Sequence, residues 1–134
     1  MSENVDLVRS ILSRWERADF RSLDWADPQI EYTIVDGPEP GTWYGVTEMK
    51  ASVRAFMSAW EDYGIEAEEF RELDRTRVLA LVRLSGRGTT SGLDIADMGA
   101  EGAEVWHIRD GKVVKLVLYW YRDRAFVDLG IRRA

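Results

Sequence analysis

Leu7, Val8, Ile11, Leu12, Trp15 and Ala18 recur every three or four positions with Arg, Asp and Glu between them, which predicts an amphipathic helix. Asn4 suits its N-cap, and Asp6 suits the positive end of the first turn. A second short helical piece is expected around residues 22–25 and ends at Asp27-Pro28, because the residue before a proline avoids the helical region. Ile30, Tyr32 and Ile34 then alternate with Glu31 and Thr33 in a strand that runs to Asp36, and Gly37-Pro38-Glu39-Pro40-Gly41 forbids its continuation. A long helix follows from an N-cap at Thr47, with a stripe of Met49, Val53, Phe56, Met57 and Trp60 and a stop at Tyr63-Gly64. From Ile65 the period becomes two. Residues 65–73, 77–88, 101–109 and 112–121 read as strands, with turns at Asp74-Arg75-Thr76 and Asp110-Gly111. Residues 89–102, rich in Gly, Asp and Ala, fit either a frayed strand pair or a long loop, and residues 123–129 before Gly130 read as a closing helix.

This order predicts an α+β fold: helices packed on one face of a curved antiparallel sheet, with the short first strand returning to it. Such a sheet can wrap around the long helix and leave a cone-shaped hollow, the kind of place where pockets form. With 134 residues and 46% hydrophobic content the chain is expected to form a single domain over 1–134, large enough for one core. A net charge of −6 with scattered positive residues shows no footprint for a phosphate backbone, so nucleic acid is not an expected partner. The absence of cysteine excludes disulfides and thiol chemistry. The longest apolar run, residues 78–82, is too short to span a bilayer, and Met1-Ser2-Glu3-Asn4 does not open a leader segment. A cytoplasmic protein without membrane contact is the expectation.

Asp36 is the first candidate for chemistry. On the alternation of Ile30, Tyr32 and Ile34 its carboxylate faces inward, where an acid or base is tuned; equally, an Asp before Gly-Pro can cap its own turn. Glu104 lies either at a solvated strand start or in the same hollow, and two carboxylates there would split into an acid and a base. Six Trp, five Tyr and four Phe are numerous for one small core. Trp15, Trp43, Phe56, Trp60, Trp106 and Trp120 are therefore either packing or the lining of a site for a flat apolar ligand, with Leu118 on the face of Trp120. His107, the only histidine, falls on the face opposite Glu104 and Trp106 and completes no metal-ligand spacing, so neither metal nor cofactor is implied. Val117, Tyr119, Tyr121 and His107 form an outer aromatic patch large enough to suggest a covering partner.

The element order resembles a known group, together with Trp43-Tyr44-Gly45 before the long helix and Val105-Trp106-His107-Ile108-Arg109-Asp110-Gly111-Lys112-Val113-Val114 ahead of Leu118-Tyr119-Trp120. The chain is similar to the SnoaL-like and ketosteroid-isomerase-like branch of the nuclear transport factor two superfamily. The resemblance implies a nuclear transport factor two-like (cystatin-like) cone, a small apolar or aromatic ligand, and a homodimer paired through the convex face of the sheet. It places the family's base at Asp36, its enolate-binding acid at Glu104 and an aromatic wall residue at Trp120. The tyrosine that such isomerases carry on the first helix has Ile11 in its place, with Trp15 one turn on and Tyr32 as the available substitute. The function so implied is proton transfer next to a carbonyl of a polyketide, steroid-like or aromatic metabolite; a non-catalytic carrier and an accessory dimerisation module are the alternatives.

Overall fold

The computed structural model describes residues 2–37, 39–88 and 101–131. Helix α1 spans Glu3–Glu16 and is capped by Ser2, whose hydroxyl accepts the Val5 N–H. Asn4, the expected cap, instead donates its side-chain amide to the carbonyl of Arg75. Residues 22–25 form a turn rather than a helix, with the Trp25 indole N–H donating to the Ser22 carbonyl. Strand β1, Ala26–Ile34, starts earlier than alternation suggests because Pro28 falls in the stretch where pairing with the neighbouring strand shifts register, a place where its missing N–H is tolerated.

Strand β2, Gly41–Tyr44, pairs antiparallel with β1 and leads into helix α2, Gly45–Ala59. Its start lies two residues before the expected cap at Thr47, with the Tyr44 N–H donating to the Glu48 carboxylate. The helix also ends early. Strand β3, Trp60–Glu72, begins where the apolar stripe of α2 was expected to run on to Gly64. Strands β4 (Arg77–Gly88), β5 (Glu101–Arg109) and β6 (Lys112–Tyr119) follow, and helix α3 (Arg122–Leu129) ends on Gly130 in the left-handed region. Asp110 and Gly111, at φ 51° and 75°, make the tight β5–β6 turn that an Asp-Gly pair is suited to.

The six strands form one curved sheet in the order β2-β1-β6-β5-β4-β3. Its pairings are antiparallel except for β1 with β6, so the sheet is mixed. Helix α1 lies over β3 and β4, and α2 over β1, β2 and β3. The core under them takes alternate residues of every central strand, among them Ile30, Val78, Val82, Trp106 and Leu116.

Helix α3 does not join the other two. It crosses the reverse face, where Phe126 and Ala125 cover Leu79, Leu81, Val105, Val117 and Tyr119. The outer patch expected to need a partner is thus largely covered from within the chain: Val117 and Tyr119 are buried, and the Tyr119 hydroxyl bonds the Asp128 carboxylate. Arg122 anchors the start of α3, donating to the carbonyls of Val82 and Gly102 and to Glu68. Among the described residues no helix is long and apolar enough to cross a membrane.

Candidate functional site

Between α1, α2 and the concave face lies a chamber of about 80 Å³. That is several times the roughly 10–15 Å³ that one water needs. Trp15 of α1 and the turn residues Phe20, Leu23 and Trp25 close one end; Met49, Val53, Phe56 and Met57 of α2 form the roof; the floor is built from the strands, with Tyr32, Ile34, Tyr63, Glu104, Leu118, Tyr119 and Trp120 among its residues. Aromatic contacts stiffen both ends. Trp15, Trp25 and the fully buried Trp106 meet with ring centroids 5.5 to 6.0 Å apart, and Phe56, Trp60 and Trp120 meet at 5.7 to 6.1 Å.

Among the described residues, Glu104 is the one charged side chain of this lining and the one polar or charged residue in the buried set, 4% exposed. Alternation along β5 turns it inward with Trp106, and it sits between Ala80 of β4 and Leu118 of β6. Its Oε1 is buried with no hydrogen-bond partner among the described residues. Burial pushes its carboxyl up from 4.5 to about 8, opposed by the nearby Trp106 indole N–H. The Trp106 nitrogen is itself without a partner that meets hydrogen-bond geometry among the described residues, so its effect is one of proximity rather than a closed bond. At neutral pH the acid is therefore mainly protonated.

Three tyrosines line the chamber with it, of which Tyr119 has its hydroxyl bonded to Asp128. Tyr32 follows the inward alternation of β1, and its phenol is pushed well above the usual range by burial and then by the charge of Glu104. Tyr63 is pushed up likewise, by burial first and then by Glu104 and Tyr32. Glu104, Tyr32 and Tyr63 thus feel one another inside a chamber that is otherwise largely apolar.

Tyr63 is the residue that sequence reasoning missed, because Tyr63-Gly64 after an apolar helical stripe has the local look of a helix stop. Plain alternation would set Trp60 and Tyr63 on opposite faces. A register shift between Glu61 and Gly64, with Asp62 at φ 53°, adds a residue to the strand and turns both rings inward.

The other candidates separate. Trp15, Phe56, Leu118 and Trp120 line the chamber. Trp43 and Trp60 line a neighbouring outer groove instead, and Trp106 packs behind the Trp15–Trp25 wall. Asp36 is placed differently from its expectation. The strand ends at Ile34, Asp36 is not among the residues lining the chamber, and its Oδ1 accepts the Trp120 backbone N–H while Oδ2 is buried without a hydrogen-bond partner among the described residues. It is thus a cap on a distant strand end rather than on its own turn. His107 lies on the reverse face beside Lys115 and Arg77, and burial and these two charges hold its pKa below the ordinary value.

No protein-family model and no curated protein sequence matches the chain. Solved structures do. An NTF2-like protein of unknown function from Burkholderia pseudomallei is 20% identical, with 95% of this chain and 97% of that one covered at a TM-score of 0.74. TerC, co-crystallised with polyporic acid, is 20% identical over 96% of this chain and 98% of its own at 0.71. A candidate SnoaL-like polyketide cyclase from Mesorhizobium loti is 7% identical over 88% and 99% at 0.70. At these identities the likeness is one of fold alone, an NTF2-like fold.

Proposed function

We propose that this nuclear transport factor two-like chain binds a flat, largely apolar molecule bearing a carbonyl or phenolic oxygen, and moves a proton at the carbon next to that carbonyl. The observation that carries the reading is Glu104, an acid without a partner for Oε1 among the described residues, buried in an apolar chamber beside Tyr32 and Tyr63. A carboxyl with a pKa of about 8 is a stronger base when ionised than an ordinary carboxylate, and that pKa lies close to working pH. Ionised Glu104 takes the proton from carbon, the electron pair moves onto the carbonyl oxygen, and the phenol O–H groups of Tyr32 and Tyr63 donate to that oxygen. Protonated Glu104 then returns the proton to carbon. The aromatic walls keep water from competing. The likeness in fold to a candidate polyketide cyclase and to a protein crystallised with polyporic acid is consistent with such a ligand.

The test is deuterium exchange at the carbon next to a carbonyl in aromatic ketones and enones, followed by NMR. The wild type exchanges with a rate that rises through pH 8, and Glu104→Gln abolishes exchange while binding phenols with comparable affinity. Binding without exchange in the wild type would make the protein a carrier, the reading favoured by the apolar lining and by Ile11 in place of a first-helix tyrosine. A homodimer belongs to the same proposal, supported by the exposed Tyr121 and Val127 at the α3 surface; sedimentation velocity reports it.

A further inference from the structure

A second concavity adjoins the chamber. The outer groove offers about 290 Å³. Its sides are Trp43 of β2 and Trp60 of β3, and its floor is the small-residue face of α2, where Ala51, Ala55 and Ala59 recur at four-residue spacing. Ile34, Phe56 and Trp120 belong to both linings, so one aromatic partition has the chamber on one side and the groove on the other. Two indoles beside an alanine floor, with Ser52 as the one uncharged polar residue of the lining among the described residues, suit a flat ring. Among the described residues the groove's only charged lining residue is Glu39, which disfavours an anionic outer end.

We propose that the groove is a second subsite of the same ligand site, so that the preferred ligand is an elongated molecule of two aromatic rings. Its oxygen-bearing ring enters the chamber beside Glu104, and its second ring crosses the edge of the partition to lie between Trp43 and Trp60, with a neutral or cationic group toward Glu39. This rests on reading the chamber as the site of the oxygen-bearing ring.

Calorimetric titration with phenol, 4-phenylphenol and the 4′-carboxy and 4′-aminomethyl forms of the latter separates the two parts. The second ring tightens binding about tenfold or more, and the 4′-carboxy form loses most of that gain until Glu39→Gln restores it. Ala55→Phe fills the groove, and Ala51→Leu narrows it as an independent, milder change; both return 4-phenylphenol to the affinity of phenol and leave phenol itself unchanged. Equal affinity of phenol and 4-phenylphenol, or a two-ring gain untouched by both α2 substitutions, overturns the second subsite and leaves the chamber reading standing. A two-ring ligand that binds through the groove while phenol does not bind overturns the chamber's part, and no binding by any of the four overturns both.

Discussion

Oδ1 of Asp36 accepts the backbone N–H of Trp120 at 2.6 Å, joining the end of β1 to the residue that follows β6. Trp120 lines both the chamber and the groove, so through this bond the carboxylate holds a wall of the site, while its Oδ2 stays buried without a partner among the described residues. Asp36→Ala leaves a part-buried N–H without its acceptor and is expected to cost about 1–3 kcal/mol in urea unfolding. Asp36→Asn keeps an acceptor, loses less, and retains proton exchange. Loss of exchange in Asp36→Asn at wild-type affinity and stability would instead return the base to this residue.

The next position tests the same wall from the other side. Gly37 sits at φ 88°, and a Cβ built on it would lie 2.1 Å from Cδ1 of Trp120. Gly37→Ala combines backbone strain with a clash against an indole that is itself packed, and should destabilise by roughly 2 kcal/mol or more. Gly111 is the control. It has φ 75° and nothing within 4 Å of where a Cβ would stand, so Gly111→Ala carries the backbone cost alone, about 1–2 kcal/mol. A Gly37→Ala loss no larger than that of Gly111→Ala would mean that Trp120 moves aside freely.

Strands β4 and β5 were legible to the residue from their β-branched and apolar runs and from the turns at 74–76 and 110–111 that start the first and end the second. Most of the stretch read as a frayed strand pair or loop, residues 89–100, lies outside the described residues. The inward set of β1, Tyr32 included, followed from alternation, whereas alternation gave only that Glu104 and Trp106 share a face of β5 and left open whether Glu104 lay in the hollow or at a solvated strand start. What stayed hidden depended on departures from regular period. Asp36 lies two residues past the end of its strand, and Tyr63 lies beyond a bulge, so counting by twos misplaced the first and overlooked the second. The parallel pairing of β1 with β6 and the seat of α3 on the reverse face are set by contacts distant in sequence, which no local pattern records.

Arg122 has a 13% exposed side chain and donates to two backbone carbonyls as well as to Glu68 at 2.6 Å. The pairing holds the Glu68 carboxyl below its ordinary pKa, chiefly through that hydrogen bond. An ammonium cannot serve three acceptors in the fixed planar pattern of a guanidinium. Arg122→Lys should therefore lose part of the stability, and Arg122→Ala more, about 2–4 kcal/mol. Hydrogen exchange should then speed up selectively in α3 and in the β5 and β6 amides beneath it. Uniform change across the chain would contradict an anchoring role.

Glu104 gives the protein a pH dependence of unusual sign. In the unfolded chain its carboxyl ionises near 4.5, whereas in the folded chain burial holds the proton to about pH 8. Between those values the folded state binds more protons than the unfolded state, so raising the pH favours unfolding. The contribution of this group is full below about pH 4.5 and falls by about 1.4 kcal/mol per pH unit until it levels off above 8. Salt-bridged surface carboxylates such as Glu68 act in the opposite direction only at lower pH, where they take up protons. Glu104→Gln removes the titration and keeps the shape. It should flatten the slope of stability against pH from about 5 to 8 and make the variant more stable than the wild type at pH 8, read from urea midpoints at matched ionic strength. A wild-type curve already flat over that interval would mean that Glu104 is hydrated and ionised in the folded chain, and the proposed proton transfer would lose its base of raised pKa.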